Sequence, residues 1–276
     1  MMATLIGISN LMIGTAYVVL GLLSAWEAIR QRKSRGLSRF GLGFSLMAAS
    51  CGPHHLVHGW CVLQGGAVSA PMMAVAVLGL PAGLIFCWLR AEAMWGGRGD
   101  RTVMLTSPVL GAAAVVLLVG VGSLAGWAMA VPPDPALILC TALGLRSVTP
   151  TADTGFSVTS PILLTNLWVS VAYSIVGWYL IKTQIRRYVV NHAWSLSGLS
   201  LSSVFPTCAA MHLIVAFTSS AHSATLPFDL LGVPASVYFL WVVKQLHSDS
   251  MIDWNRRPLA GVSATPIRAS PWDKRI

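Results

Sequence analysis

Apolar residues run along the chain in long blocks, and polar residues gather in the short stretches between them. Seven blocks approach the roughly 20 residues needed to cross the hydrocarbon of a bilayer. They are Thr4–Ile29, Phe40–Val62, Ala70–Glu92, Val103–Ala130, Pro161–Ile181, Trp194–Phe217 and Phe228–Leu246. Lipid offers no partner for backbone N–H or C=O, so the spans are predicted to be helical and the fold all-α. The first block has no basic leader and no small-residue cleavage pattern, and it is too long for a signal peptide. It reads as a retained first span. No internal repeat and no domain boundary stands out.

Charge gives the chain a direction. Arg30, Arg32, Lys33, Arg35 and Arg39 follow span one, and Arg90, Arg98 and Arg101 end or follow span three. Lys182, Arg186 and Arg187 follow span five, and Arg256 and Arg257 follow span seven. The opposite loops contain Arg146 alone. This alternation predicts an outside N-terminus and a cytoplasmic C-terminus. Trp60 and Trp127 then fall near outer ends, and Trp88, Trp95 and Trp194 near inner ends, as interfacial belts require. The predicted organisation is a seven-helix transmembrane domain over residues 1–248 and a basic cytoplasmic tail over 249–276. An outer loop or lid at about 131–160 holds either a short amphipathic or re-entrant piece around Ala136–Leu145 or a plain surface crossover.

Composition narrows the class. The 276 residues are 55% hydrophobic and only 10% charged, with mean hydropathy +0.70, whereas soluble domains carry about 25% charged residues. That argues against a large soluble core and for a multi-pass protein of the cell membrane, with the bilayer as its first partner. The net charge of +9 reads as cytoplasmic loops held at the inner leaflet. No nucleic-acid motif accompanies it.

Candidate chemistry lies in spans two and six. Cys51, His54, His55 and His58 fall at i, i+3, i+4 and i+7 and make one stripe, with His55 rotated from the His54–His58 direction. His58 lies roughly 6 Å and Cys51 roughly 17 Å below the outer end. In span six, Cys208, Met211 and His212 repeat the spacing, with His212 roughly 8 Å and Cys208 roughly 14 Å deep. Pro53 and Pro206 lie beside the two stripes, where kinks open room. Neutral imidazoles, thiols and a thioether at matching depth suit copper, and two histidines on different helices suit haem b. His54, His58 and His212 are the first candidates to hold the cofactor. Cys51, His55, Cys208, Met211 and His222 are further metal ligands. Gly52 and Gly59 would let a flat macrocycle approach span two. No Asp or Glu lies at this depth in either helix, which argues against a hard-cation site.

Other polar residues have local readings. Asp229, at the outer start of span seven, suits a helix cap or an outer vestibule. Asn166 and Tyr173 of span five are candidate partners for an imidazole. Glu27, Glu92 and Lys244 lie near inner ends, where charged heads reach water. Lys244 has the wrong depth for a retinal Schiff base. Cys61 and Cys140 either pair as an outer disulfide or stay reduced. The expected function is a metal- or haem-binding membrane protein in electron transfer or metal handling. It would act alone, as one subunit of an oxidoreductase with other membrane subunits, or with a soluble redox partner at the outer face. The alternatives are a metal-independent transporter or channel with a histidine-lined path, and a sensor or assembly subunit.

Overall fold

A computed structural model describes residues 2–66, 68–104, 160–218 and 224–245, with scattered positions between 106 and 119. Most of the expected fourth span, the outer segment, the tail, Cys140 and His222 lie outside the described residues. The described chain forms six helices: α1 (Met2–Arg35), α2 (Arg39–Leu63), α3 (Ala70–Met94), α4 (Pro161–Asn191), α5 (Leu196–Thr218) and α6 (Leu226–Gln245). By length and composition α1, α3, α4, α5 and α6 are able to cross a membrane. α2, which carries three histidines, is the exception.

α1 and α4 continue past the apolar blocks that predict them, because the Arg, Lys and Gln of their last turns are good helix formers. Two predicted span starts are corrected. Val103 and Trp194 do not begin helices; they pair in a two-stranded antiparallel ladder of β1 (Thr102–Val103) and β2 (Trp194–Ser195). Trp194 is buried and stacks on Tyr188 at 4.7 Å between centroids, so it packs and does not serve an interfacial belt. Asp100 anchors the ladder by accepting from Ser195 Oγ at 2.7 Å and from the Ser197 amide at 2.9 Å. Arg90 is also corrected. It lies within α3, 3% exposed, in an ion pair with Glu27 of α1.

The strongest helix pairings close a ring in the order α1–α3–α5–α4–α6–α2 and back to α1. Large apolar side chains, among them Leu22, Trp26, Trp88, Trp178 and Val190, face outward and stay exposed. The α1–α2 seam is built on glycines. A Cβ on Gly59 would lie 2.8 Å from Gly7 O, and one on Gly52 would lie 2.8 Å from Val18 Cγ2. The face that Gly52 and Gly59 offer is therefore filled by α1, and the expected approach of a macrocycle to it is corrected.

The ring also exposes an internal duplication, which overturns the expectation of no repeat. α1 and α4 share NLxxxxAYxxxG, from Asn10 to Gly21 and from Asn166 to Gly177. α2 and α5, with the residues that cap them, share SxxGLxxSxxxxxCxxxHL, from Ser38 to Leu56 and from Ser195 to Leu213. α3 and α6 share GxPAxxxFxW, from Gly79 to Trp88 and from Gly232 to Trp241. Exchanging α1 with α4, α2 with α5 and α3 with α6 leaves the ring order unchanged. The local contacts repeat as well. Ser38 Oγ accepts from Gly41 N at 3.1 Å and Ser195 Oγ from Gly198 N at 3.0 Å, the same cap at the start of each second helix. The two halves are parallel copies about a pseudo-twofold axis through the ring.

Candidate metal centre

The duplicated halves bring their conserved-in-register polar residues to the ring interior, and the shared part of the pattern forms twice. Asn10 donates through Nδ2 to Ile6 O at 2.8 Å, and its Oδ1 lies 2.7 Å from His55 Nδ1. Asn166 donates through Nδ2 to Ile162 O at 3.0 Å, and its Oδ1 lies 2.6 Å from His212 Nδ1. An amide nitrogen that donates leaves its oxygen to accept, so in both pairs the histidine Nδ1 carries the proton. Tyr17 meets the His55 ring edge-on at 5.5 Å, and Tyr173 meets His212 in the same way at 5.8 Å.

The halves differ around Asp229. Asp229 is 0% exposed, and its Oδ1 lies 2.6 Å from His54 Nδ1. Its Oδ2 accepts from Asn166 Nδ2 at 3.0 Å and from Thr225 Oγ1 at 3.1 Å. His212 Nδ1 is a further 3.9 Å neighbour of Oδ1. An ionised carboxylate only accepts, so the His54 proton sits on Nδ1 too. The Nε2 atoms of His54 and His212 have no hydrogen-bond partner among the described residues, and in the neutral ring each keeps its lone pair. The two rings lie 4.5 Å apart, and His58 stacks on His54 at 6.2 Å. One ligand atom from each of His54, His212 and Asp229 falls within 4.8 Å of the others.

By the repeat register, His54, His58 and Asp229 correspond to Met211, Val215 and Ala76. Those three pack in an apolar cluster with Ile6, Val62, Met72 and Met73. The same location is thus hydrocarbon in one half and a histidine–carboxylate network in the other. Scaffold needs account for the repeated Asn–His pairs. They do not account for the extra histidines and the acid, because the other half packs without them.

The sequence stripe therefore divides. His54 faces Asp229, with His58 stacked beside it and His212 joining from α5. His55 turns to Asn10 of α1, and its Nε2 lies 3.7 Å from Cys208 Sγ. Cys51 lies 3.0 Å from Tyr173 Oη, and Cys208 lies 3.4 Å from Tyr17 Oη. Met211 belongs to the apolar cluster with Ile6 and Val62. Asn166 is the imidazole partner expected of it. Asp229 is neither a solvent-facing cap nor a vestibule residue but the anchor of the network. Asn10 and Thr225 were not anticipated; an asparagine at the same distance from a tyrosine in spans one and five was the available signal.

Chemically, a buried carboxylate needs positive charge beside it. Its ionic neighbours here are two imidazoles, so that charge arrives as a proton on one ring or as a cation at Nε2. An imidazole whose Nδ1–H is held by a carboxylate or carbonyl oxygen, with Nε2 open, is the arrangement that second-shell groups impose on metal-binding histidines. A haem between His54 and His212 fits poorly, because two metal–nitrogen bonds of roughly 2 Å and two ring radii exceed a 4.5 Å separation. No family model matches the chain, and neither a curated protein nor a solved structure is significantly similar to it.

Proposed function

We propose that the chain is a seven-span protein of the cell membrane that binds a transition-metal ion between His54 and His212 and serves metal handling or electron transfer. The observation that carries this reading is the pair of buried Nε2 lone pairs whose Nδ1 atoms are pinned by Asp229 and Asn166. Imidazole donors accept copper, zinc or iron. Charge selects among them: a monovalent ion on two neutral imidazoles would neutralise Asp229, while a divalent ion would leave net charge in a dry interior. Copper is the preferred occupant, with His58 at hand as a third ligand.

Connectivity supports the seventh span. Val103 is tied to Trp194, beyond the C-terminal end of α4, whereas Pro161 begins α4, a helix of 31 residues and so roughly 45 Å long. The chain between them has to change sides, and a span within 103–130 would do so. Arginines at the far ends of α1 and α4 favour a cytoplasmic location for those ends and an outside N-terminus. The centre then lies in the outward half, since Asp229 and Asn166 are within two turns of their helix starts.

Metal analysis and an optical spectrum of gently purified protein test the reading. Near-stoichiometric copper or another transition metal, lost in H54A/H212A, is expected. A folded protein that stays metal-free after purification and after loading would refute it.

A second reading, a transporter with a histidine-lined path, is favoured by the parallel duplication alone. Parallel repeats about an axis normal to the membrane, with a polar site at their interface, occur in carriers that alternate access by rocking one half against the other. Liposome flux that persists without metal and falls in H212A would favour it over a resident metal centre.

A further inference from the structure

Next to His55, and apart from the Asp229 network, the two halves bring together a second set of groups. Cys51 and Cys208 are equivalent in the repeat, and both line one small cavity inside the ring. The phenol contacts cross over, Tyr173 of one half to Cys51 and Tyr17 of the other to Cys208. Beside the thiols is a cavity of about 10 Å³, lined also by Met47 and otherwise by aromatic and aliphatic side chains. Such a space holds about one water-sized particle. No carboxylate lines it, so it offers nothing to a hard cation.

We propose that Cys51 and Cys208 form a second, sulfur-based site for a soft monovalent ion, Cu(I) or Ag(I). Soft thiolate donors select Cu(I), and Met47 adds a thioether at the cavity wall. The ion forms one bond to each sulfur; one S–H bond breaks and its proton leaves for solvent, while the other sulfur donates as the neutral thiol. One monovalent cation and one thiolate sum to zero, which a buried site requires. The two-coordinate ion changes no oxidation state. This site depends on groups that the His54–His212 centre does not use, so the two stand or fall separately.

The experiment titrates Ag(I) and Cu(I), against a competing chelator, into reduced full-length protein in which Cys61, Cys87 and Cys140 are replaced by serine. Copper-edge X-ray absorption and proton release are read alongside. The expected result is one tightly held ion with sulfur neighbours, and a net release of one proton for that ion. C51S/C208S loses that ion and the sulfur signal and keeps the imidazole-bound one, whereas H54A/H212A does the opposite. Wild-type soft-metal stoichiometry in C51S/C208S overturns the proposal. So does nitrogen-only coordination in the parent protein.

Discussion

Replacing Asp229 with asparagine changes one heavy atom and removes one charge, at a point where three donors converge. His54 Nδ1 meets Oδ1, while Asn166 Nδ2 and Thr225 Oγ1 both meet Oδ2. The amide keeps one accepting oxygen and turns an NH2 toward former donors, so at least one of the three loses its acceptor. The fold should lose about 1–3 kcal/mol for each buried group so stranded. The larger effect is on the metal. With His54 no longer held as the Nδ1–H tautomer, affinity should fall about 10- to 100-fold. Metal at 100 times its dissociation constant stabilises the native protein by about 2.7 kcal/mol, and a weakening of that size leaves only about 0.4–1.4 kcal/mol. Chelator competition and thermal unfolding with and without copper measure both quantities. A folded D229N protein with the wild-type metal-linked gain would refute Asp229 as the group that orients His54.

The duplication supplies matched controls. N166A should weaken metal binding, whereas N10A, which removes the equivalent partner of His55, should lower the melting temperature and leave copper at the His54–His212 centre unchanged; chelator competition separates the two. G59A places a Cβ 2.8 Å from Gly7 O, backbone that cannot turn aside, and should cost about 1–3 kcal/mol in unfolding experiments. G111A, whose added Cβ meets nothing within 4 Å among the described residues, should cost little in the same assay. E27L removes the carboxylate that the buried Arg90 holds and should cost about 3–5 kcal/mol. R90M added to it should restore most of the loss in the same melts.

Much of the fold is legible in the sequence because hydrocarbon permits so few backbone solutions: five of the expected blocks appear as helices that could span. The helix ends are less legible, since Val103 and Trp194 are apolar yet pair as a ladder held by Asp100, a contact between segments nearly a hundred residues apart. Imidazoles in two helices at one estimated depth pointed to His54 and His212, and depth alone brought them together. Depth does not give rotation about the helix axis, which is why His55 and Met211 read as equals of His54 until the ring fixed their directions. Asp229 was missed because, near a helix start, an acid looks like a cap. The neighbours that bury it, Asn166 and Thr225, belong partly to another helix. The duplication was written in NLxxxxAYxxxG and its companions, but each motif is short and most intervening positions have diverged.

The central claim is that the open nitrogens of His54 and His212 hold a metal. X-ray absorption at the copper edge, on protein with its cysteines replaced by serine and loaded to one ion, tests it most directly. At least two imidazole neighbours, lost together in H54A/H212A while the protein stays folded, are the predicted result. A copper spectrum that the double substitution leaves unchanged would contradict it.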